Sequence, residues 1–191
     1  MKQRIWIPAK IALLLLLPMI LIIAGFFTRS CFEDTYYGEL KVLYQNLRET
    51  KGKKIVVIGN SNIAFGVDSE LMEAEGKAAG LDYHVVNFGL YGTIGSKAML
   101  DIAYDSIGEG DLVIFAPEPE TLAYSLYFNG QEIWRAADSC FDLALAASKK
   151  NLGSMAGSYL AYVQDKFPYL LSGQMASASG IYAKTSFNEQ G

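Results

Sequence analysis

Three strand-like runs, separated by helical stretches, constrain the fold of this chain more than any other feature. Lys54-Ile55-Val56-Val57-Ile58 is a continuous apolar, β-branched run ending at Gly59, Tyr83–Phe88 is a second strand, and Leu112-Val113-Ile114-Phe115-Ala116 is a third. The first run, short and apolar up to its closing Gly59, fits a strand covered on both faces. Between the first two, Asp68 is placed to cap a helix through about Ala79, with Gly80 to end it. Between the second and third, Ser96 is placed to cap a helix with Met99, Ile102, Ala103 and Ile107 on one face, stopped by Gly108 and Gly110. Such alternation builds βαβ units, hence an α/β fold: a parallel sheet with right-handed crossovers, doubly wound or flavodoxin-like.

The flanks are mainly helical. Leu40, Leu43, Tyr44 and Leu47 follow helical spacing ahead of the first strand, closed by Lys51-Gly52-Lys53. Beyond the third strand, Pro117-Glu118-Pro119-Glu120 is a stiff loop, and Ile133, Trp134, Ala137, Phe141, Ala144 and Leu145 form one helix face. Tyr159–Leu171 reads as a helix bent at Pro168, and Ser172–Gly191 carries no strong strand. Three strands leave a flavodoxin-like sheet of the usual five unfinished.

Hydropathy divides the chain. Of the 23 residues Ile5–Phe27, 19 are apolar, and Ile11–Phe27 carries no charge. With the apolar residues before Lys10 this reaches the roughly 20 residues that span a bilayer. Lys2, Arg4 and Lys10 precede the run and no acidic residue occurs before Glu33, which places the N-terminus in the cytoplasm and the bulk of the chain outside. The flank Gly25-Phe26-Phe27-Thr28-Arg29-Ser30-Cys31 lacks an A-x-A-like site, so an uncleaved anchor is favoured over a cleaved signal peptide. The organisation expected is residues 1–29 as cytoplasmic N-terminus and anchor, 30–52 as a juxtamembrane helix, and 53–191 as a partial α/β domain.

From Ser30 onward there are 12 basic and 20 acidic residues, a balance of −8 that argues against nucleic acid as partner. Cys31 and Cys140 are the only cysteines, one beside the membrane and one in a helix-like stretch, and are expected to be unpaired. One His, His84, rules out a His-rich metal site, and nothing else in the sequence calls for a metal or cofactor.

In an open parallel sheet, ligands bind at the carboxyl ends of the strands. Three loops leave those ends: Gly59–Gly66, Asn87–Thr93 and Pro117–Glu120, which should bring Ser61, Gly92 and Glu118 together. Ser61 lies two residues past a buried strand on a Gly/Asn-rich turn, a nucleophile's position, with the Gly92 N–H available to a developing oxyanion. A Ser and Asn in such a turn also serve simply as caps.

Ile58-Gly59-Asn60-Ser61-Asn62 resembles the first block of the SGNH (GDSL-like) hydrolases, in which Gly-Asp-Ser follows strand one. Val85–Gly92 resembles the second, where an Asn precedes a Gly that donates to the oxyanion hole. The resemblance spans about Lys53–Glu120 and implies Ser61 as nucleophile, with the Gly92 and Ser61 N–H groups as oxyanion donors. An anchor ahead of such a domain is similar to the cell-envelope branch of the family. That implies an esterase or O-acyltransferase with the membrane and a cell-surface glycan or acylated small molecule as partners.

Two positions depart from the family. Its third block carries an Asn where Glu118 stands, and a carboxylate repels an oxyanion. Glu118 is therefore left to substrate hydroxyls or loop capping, and Asn62 or Asn87 is left to supply the amide; Asn60, Asn62, Asn87 and Glu118 are the candidate substrate-binding residues. The family's late Asp-x-x-His has no counterpart, since His84 lies near the start of strand two, roughly 10 Å from the catalytic edge. Without that His, Ser61 lacks its general base. The missing strands and His together read as the N-terminal part of a longer SGNH protein, or a degenerate member, with little or no esterase activity expected of the chain as it stands. The alternatives are a non-catalytic extracytoplasmic binding or scaffold protein, for which Tyr124-Ser125-Leu126-Tyr127-Phe128 offers rings, and a nucleotide-binding domain, against which the absent G-x-G-x-x-G argues.

Overall fold

The computed structural model describes residues 10, 11, 13, 14, 16, 17, 19, 20, 23, 25–117 and 126–183. Helix α1 (Tyr36–Glu49) leads into β1 (Lys54–Gly59), then α2 (Ser61–Gly66), α3 (Ser69–Ala78), β2 (His84–Gly89), α4 (Ser96–Ala103), β3 (Leu112–Ala116), α5 (Gly130–Ala136) and the long α6 (Phe141–Ser172). The strands are parallel in the order β2-β1-β3, with Lys54 opposite His84, and Gly59 opposite both Gly89 and Ala116. The α/β fold with a parallel sheet read from the alternation is present.

One face of the sheet is deeply covered. Val56, Ile58, Val86 and Phe88 pack with Leu40, Leu43 and Leu47 of α1 and Ala98, Met99 and Ile102 of α4 in one core. Each large side chain removed from water there contributes about 1.5–3 kcal/mol. The helix expected at 30–52 thus shares the core of the strands. The opposite face carries Val57 and Asn87 under the short α2 and under α3, which buries none of its own residues.

β3, as apolar as β1, is not covered as β1 is: Leu112, Val113, Ile114 and Phe115 are 36–50% exposed. An apolar run specifies the strand and not its cover. β3 is the open edge of the sheet, and no covering layer lies among the described residues.

Four local readings are corrected. Ser96 does not cap α4: Gly95, at φ +92°, is the cap, and the Ser96 hydroxyl turns back to Asn60 Oδ1 at 2.8 Å. The face from Ile133 to Leu145 belongs to two helices, divided by Ala137–Cys140 with Ser139 at φ +61°. The bend in α6 falls at Asn151 (φ −132°, ψ 34°) rather than Pro168, where the Asn151 side chain bonds Asp101 and Lys97 of α4. Residues Ser61–Gly66, read as a loop, form a helix. Asp68 does cap α3, accepting from Leu71 N at 2.9 Å.

The turn between α5 and α6 ties down the segment that follows the apolar N-terminus. Asp138 is fully buried. Its Oδ1 accepts from Lys166 Nζ at 2.6 Å and Tyr162 OH at 2.5 Å, and its Oδ2 from Cys31 N at 2.5 Å, Phe32 N at 3.3 Å and Ser30 Oγ at 3.2 Å. Burial, then Asp138, raise the Tyr162 phenol above its ordinary value, so it stays a donor. Cys31 is buried, Cys140 half-buried, and both are free thiols.

The segment assigned to the membrane is only partly described, since residues 1–9, 12, 15, 18, 21, 22 and 24 lie outside the described residues. Those described between 10 and 27 are helical. Among the described residues, no helix is long and apolar enough to cross a membrane.

Candidate functional site

The carboxyl ends of β1 and β2 are built for close approach. A Cβ at Gly59 would stand 2.6 Å from Ala116 O, and one at Gly89 2.6 Å from Ala64 N. Only glycine at both ends lets α2 sit on the strand termini. Ile63 seats there, 9% exposed. Asn87, buried in β2, holds the helix from below, donating from Nδ2 to Ile63 O at 3.1 Å and Val67 O at 3.2 Å while its Oδ1 accepts from Gly89 N at 3.1 Å.

Asn60 joins β1 to α2 in extended conformation, and its carbonyl takes Ile63 N and Ala64 N, both at 3.0 Å. Ser61, half-buried, is therefore the first residue of the helix. Asn62 is exposed and its Oδ1 accepts from Ile63 N at 2.9 Å. The loop after β2 lies alongside: Leu90 N donates to Gly59 O at 3.3 Å, and Ser96 bonds Asn60. Gly92 is half-buried in that loop, its carbonyl accepting from Gly95 N at 3.0 Å and from the Tyr127 hydroxyl. The first two loops thus converge as expected. Glu118 of the third, with Tyr124 and Ser125, lies outside the described residues.

Of the three asparagines, Asn87 spends its amide on main-chain groups and Asn62 closes its own turn. Asn60, 1% exposed, has an Nδ2 with no partner among the described residues. A buried donor left unmet costs about 1–3 kcal/mol. No family model, curated protein or solved structure matches this chain. What the site can do therefore rests on its own chemistry.

His84 opens β2, five residues before Gly89 and so on the order of 16 Å from the loop edge. Its Nδ1 is 3.2 Å from Glu73 Oε1, which also takes Lys77 Nζ at 2.7 Å. The Lys77 hydrogen bond, with the Val85 N–H, lowers the Glu73 carboxyl to about 2. These contacts hold His84 against Glu73 at the amino edge, away from Ser61.

Sequence reading missed Ser96 as the partner of Asn60 and Tyr127 as the partner of Gly92. It also missed an aromatic row running off the site: Phe65 to Tyr91 at 5.7 Å, Tyr91 to Tyr36 at 4.5 Å and Tyr91 to Tyr182 at 5.1 Å between ring centres. No local spacing signals it, because the rings come from four separate segments.

Proposed function

We propose that this chain is a membrane-anchored serine esterase or O-acyltransferase of SGNH/GDSL type, acting on acyl groups of cell-envelope glycans outside the membrane. The observation that carries the reading is the loop pair at the carboxyl edge, which sets Ser61 beside the Gly92 loop through the Leu90–Gly59 and Ser96–Asn60 hydrogen bonds. Ser61 Oγ attacks the acyl carbonyl, its proton passes to a base, and the Ser61 and Gly92 N–H groups receive the oxyanion; collapse then breaks the ester C–O bond, the alcohol leaves with the proton returned by the base, and the acyl group stays on Ser61. The amide role falls to Asn60, whose buried Nδ2 is unmet among the described residues. Phe65 and Tyr182, about half exposed at the ends of the aromatic row, offer faces to sugar rings. Whether water or a sugar hydroxyl then takes the acyl group decides between hydrolysis and transfer.

The chain's one His stands at the opposite edge of the sheet, so it is not the base that serves the proposed nucleophile Ser61. This also supports the second reading, a non-catalytic envelope binding protein that uses the aromatic row alone.

The test is acetyl-ester turnover by the whole chain in detergent, with Ser61→Ala as control and with imidazole as external base. Without imidazole the two run at the same background rate. With it, the native chain exceeds Ser61→Ala by about tenfold, less than a positioned base gives. Equal rates in both conditions would refute Ser61 as nucleophile and leave the binding reading.

A further inference from the structure

A groove of 490 Å³ opens where the apolar N-terminal segment meets the domain, lined by Ile23, Phe26, Phe27, Trp134, Leu145 and Leu152 among others. Its size falls in the range of small-molecule sites, about 300–1,000 Å³. We propose that it seats an acyl chain of a bilayer lipid. The inference rests on the membrane-anchored part of the reading above and is independent of Ser61.

The lining fixes the chemistry. Its polar groups are bonded within the protein: Ser148 Oγ donates to Ala144 O at 2.7 Å, Trp134 Nε1 to Met155 O at 2.7 Å, and Tyr159 OH to Ile23 O at 3.4 Å. What remains facing the groove is hydrocarbon and aromatic ring, which suits an alkyl chain and offers a phosphate or a sugar hydroxyl no hydrogen-bond partner.

Continuity names the source of that chain. Ile11, Leu13, Leu14, Leu16, Leu17, Met19 and Ile20 are each more than half exposed, an apolar strip that runs into the groove through Ile23 and Phe27. Strips of this kind are covered by a membrane or a partner. A helix of 17 residues, the length of the uncharged run Ile11–Phe27, would span about 25 Å, close to the hydrocarbon thickness of a bilayer. The groove sits at the outer end of that run, at the depth of the outer interface. Just beyond, the Arg29 guanidinium is held on the protein by Tyr169 O at 2.7 Å and Gln174 O at 2.6 Å, a cation suited to headgroup level. Phe141, Leu145 and Leu152, 48–69% exposed along the groove side of α6, then meet acyl chains rather than water.

Trp134 lines the groove, and Trp6 is the chain's other tryptophan. The experiment uses the whole chain with Trp6→Phe, reconstituted in phosphatidylcholine vesicles with or without bromine on the acyl chains. Bromine quenches only rings it touches, so Trp134 emission should fall by about twofold with brominated lipid, more with bromine near the glycerol than near the methyl end. Leu152→Glu, at an exposed position, should restore most of the emission without unfolding the chain. Unchanged Trp134 emission in a chain that resists carbonate extraction would overturn the groove inference while leaving the anchor intact. A chain that carbonate strips from the vesicles would overturn the anchor instead, and the acyl-chain inference with it. Unquenched Trp134 in a cross-linkable dimer that Leu152→Glu dissociates would assign the groove to a second copy and also overturn the inference.

Discussion

Replacing Asp138 with alanine should destabilise this chain more than any change at the candidate site. Asp138 accepts five hydrogen bonds at the α5–α6 turn, and its partner Lys166 is fully buried. Removing the carboxylate leaves that ammonium uncompensated, at about 3–5 kcal/mol. It also strands the N–H groups of Cys31 and Phe32, at about 1–3 kcal/mol each. These losses overlap, and about 5 kcal/mol is a conservative total. For a chain of this length that corresponds to a melting-temperature drop of about 10–20 °C. The assay is thermal unfolding by circular dichroism in detergent. Labelling of Cys31 in a Cys140→Ser background gives a local readout, because the buried thiol should react faster once its loop is released. Pairing Asp138→Asn with Lys166→Met should cost less than the two single changes added together, since neither then leaves a lone buried charge. A melt within about 3 °C of the native chain for Asp138→Ala would refute the reasoning.

Three further predictions test the sheet. Ile114→Lys on exposed β3 should shift stability by no more than about 0.5 kcal/mol, whereas Ile58→Ala in buried β1 should cost about 2–5 kcal/mol by chemical denaturation. Gly59→Ala should cost about 1–3 kcal/mol and weaken the seating of α2, read as faster amide exchange at Ile63 and Ala64. Asp111 is half-buried just ahead of β3, with its side chain 4% exposed; burial opposes its charge, but the N–H groups of Gly108 and Lys54 and the Lys54 ammonium outweigh this and hold its carboxyl below the ordinary value. Since the folded-state values of Asp111 and Glu73 are depressed, their stabilisation is complete above about pH 4–5 and is lost as pH falls through those lowered values, about 2 for Glu73. Asp111→Asn should flatten that acid slope, and an unchanged slope would count against the pair.

The parts of the fold that repeat a simple pattern were legible. β1, β2 and β3, the Asp68 cap and the Leu40–Leu47 face each arise from a few neighbouring residues, and parallel strands bring their exit loops to one edge by topology. What was not legible depends on distant partners. α2 has no period of its own over six residues; it is specified by glycines at the ends of two strands and by Asn87 reaching across from β2. Ser96 looked like a cap because its better partner, Asn60, is 36 residues away. Asp138 and Lys166 carry no local sign of being buried, and the exposure of β3 depends on what covers it, which its own apolar residues do not encode. At the site, the contact between the first two loops followed from the topology, while the division of labour among Asn60, Asn62 and Asn87 emerged only from their hydrogen bonds.

The proposal that Ser61 is the reactive nucleophile, working with an external base, is tested most directly by fluorophosphonate labelling of the whole chain, mapped by peptide mass spectrometry. The account predicts no adduct in buffer alone, a single adduct on Ser61 when imidazole is added, and none in Ser61→Ala. An adduct that forms without imidazole would mean that a base already stands beside Ser61; no adduct under either condition would mean that Ser61 is not the reactive group.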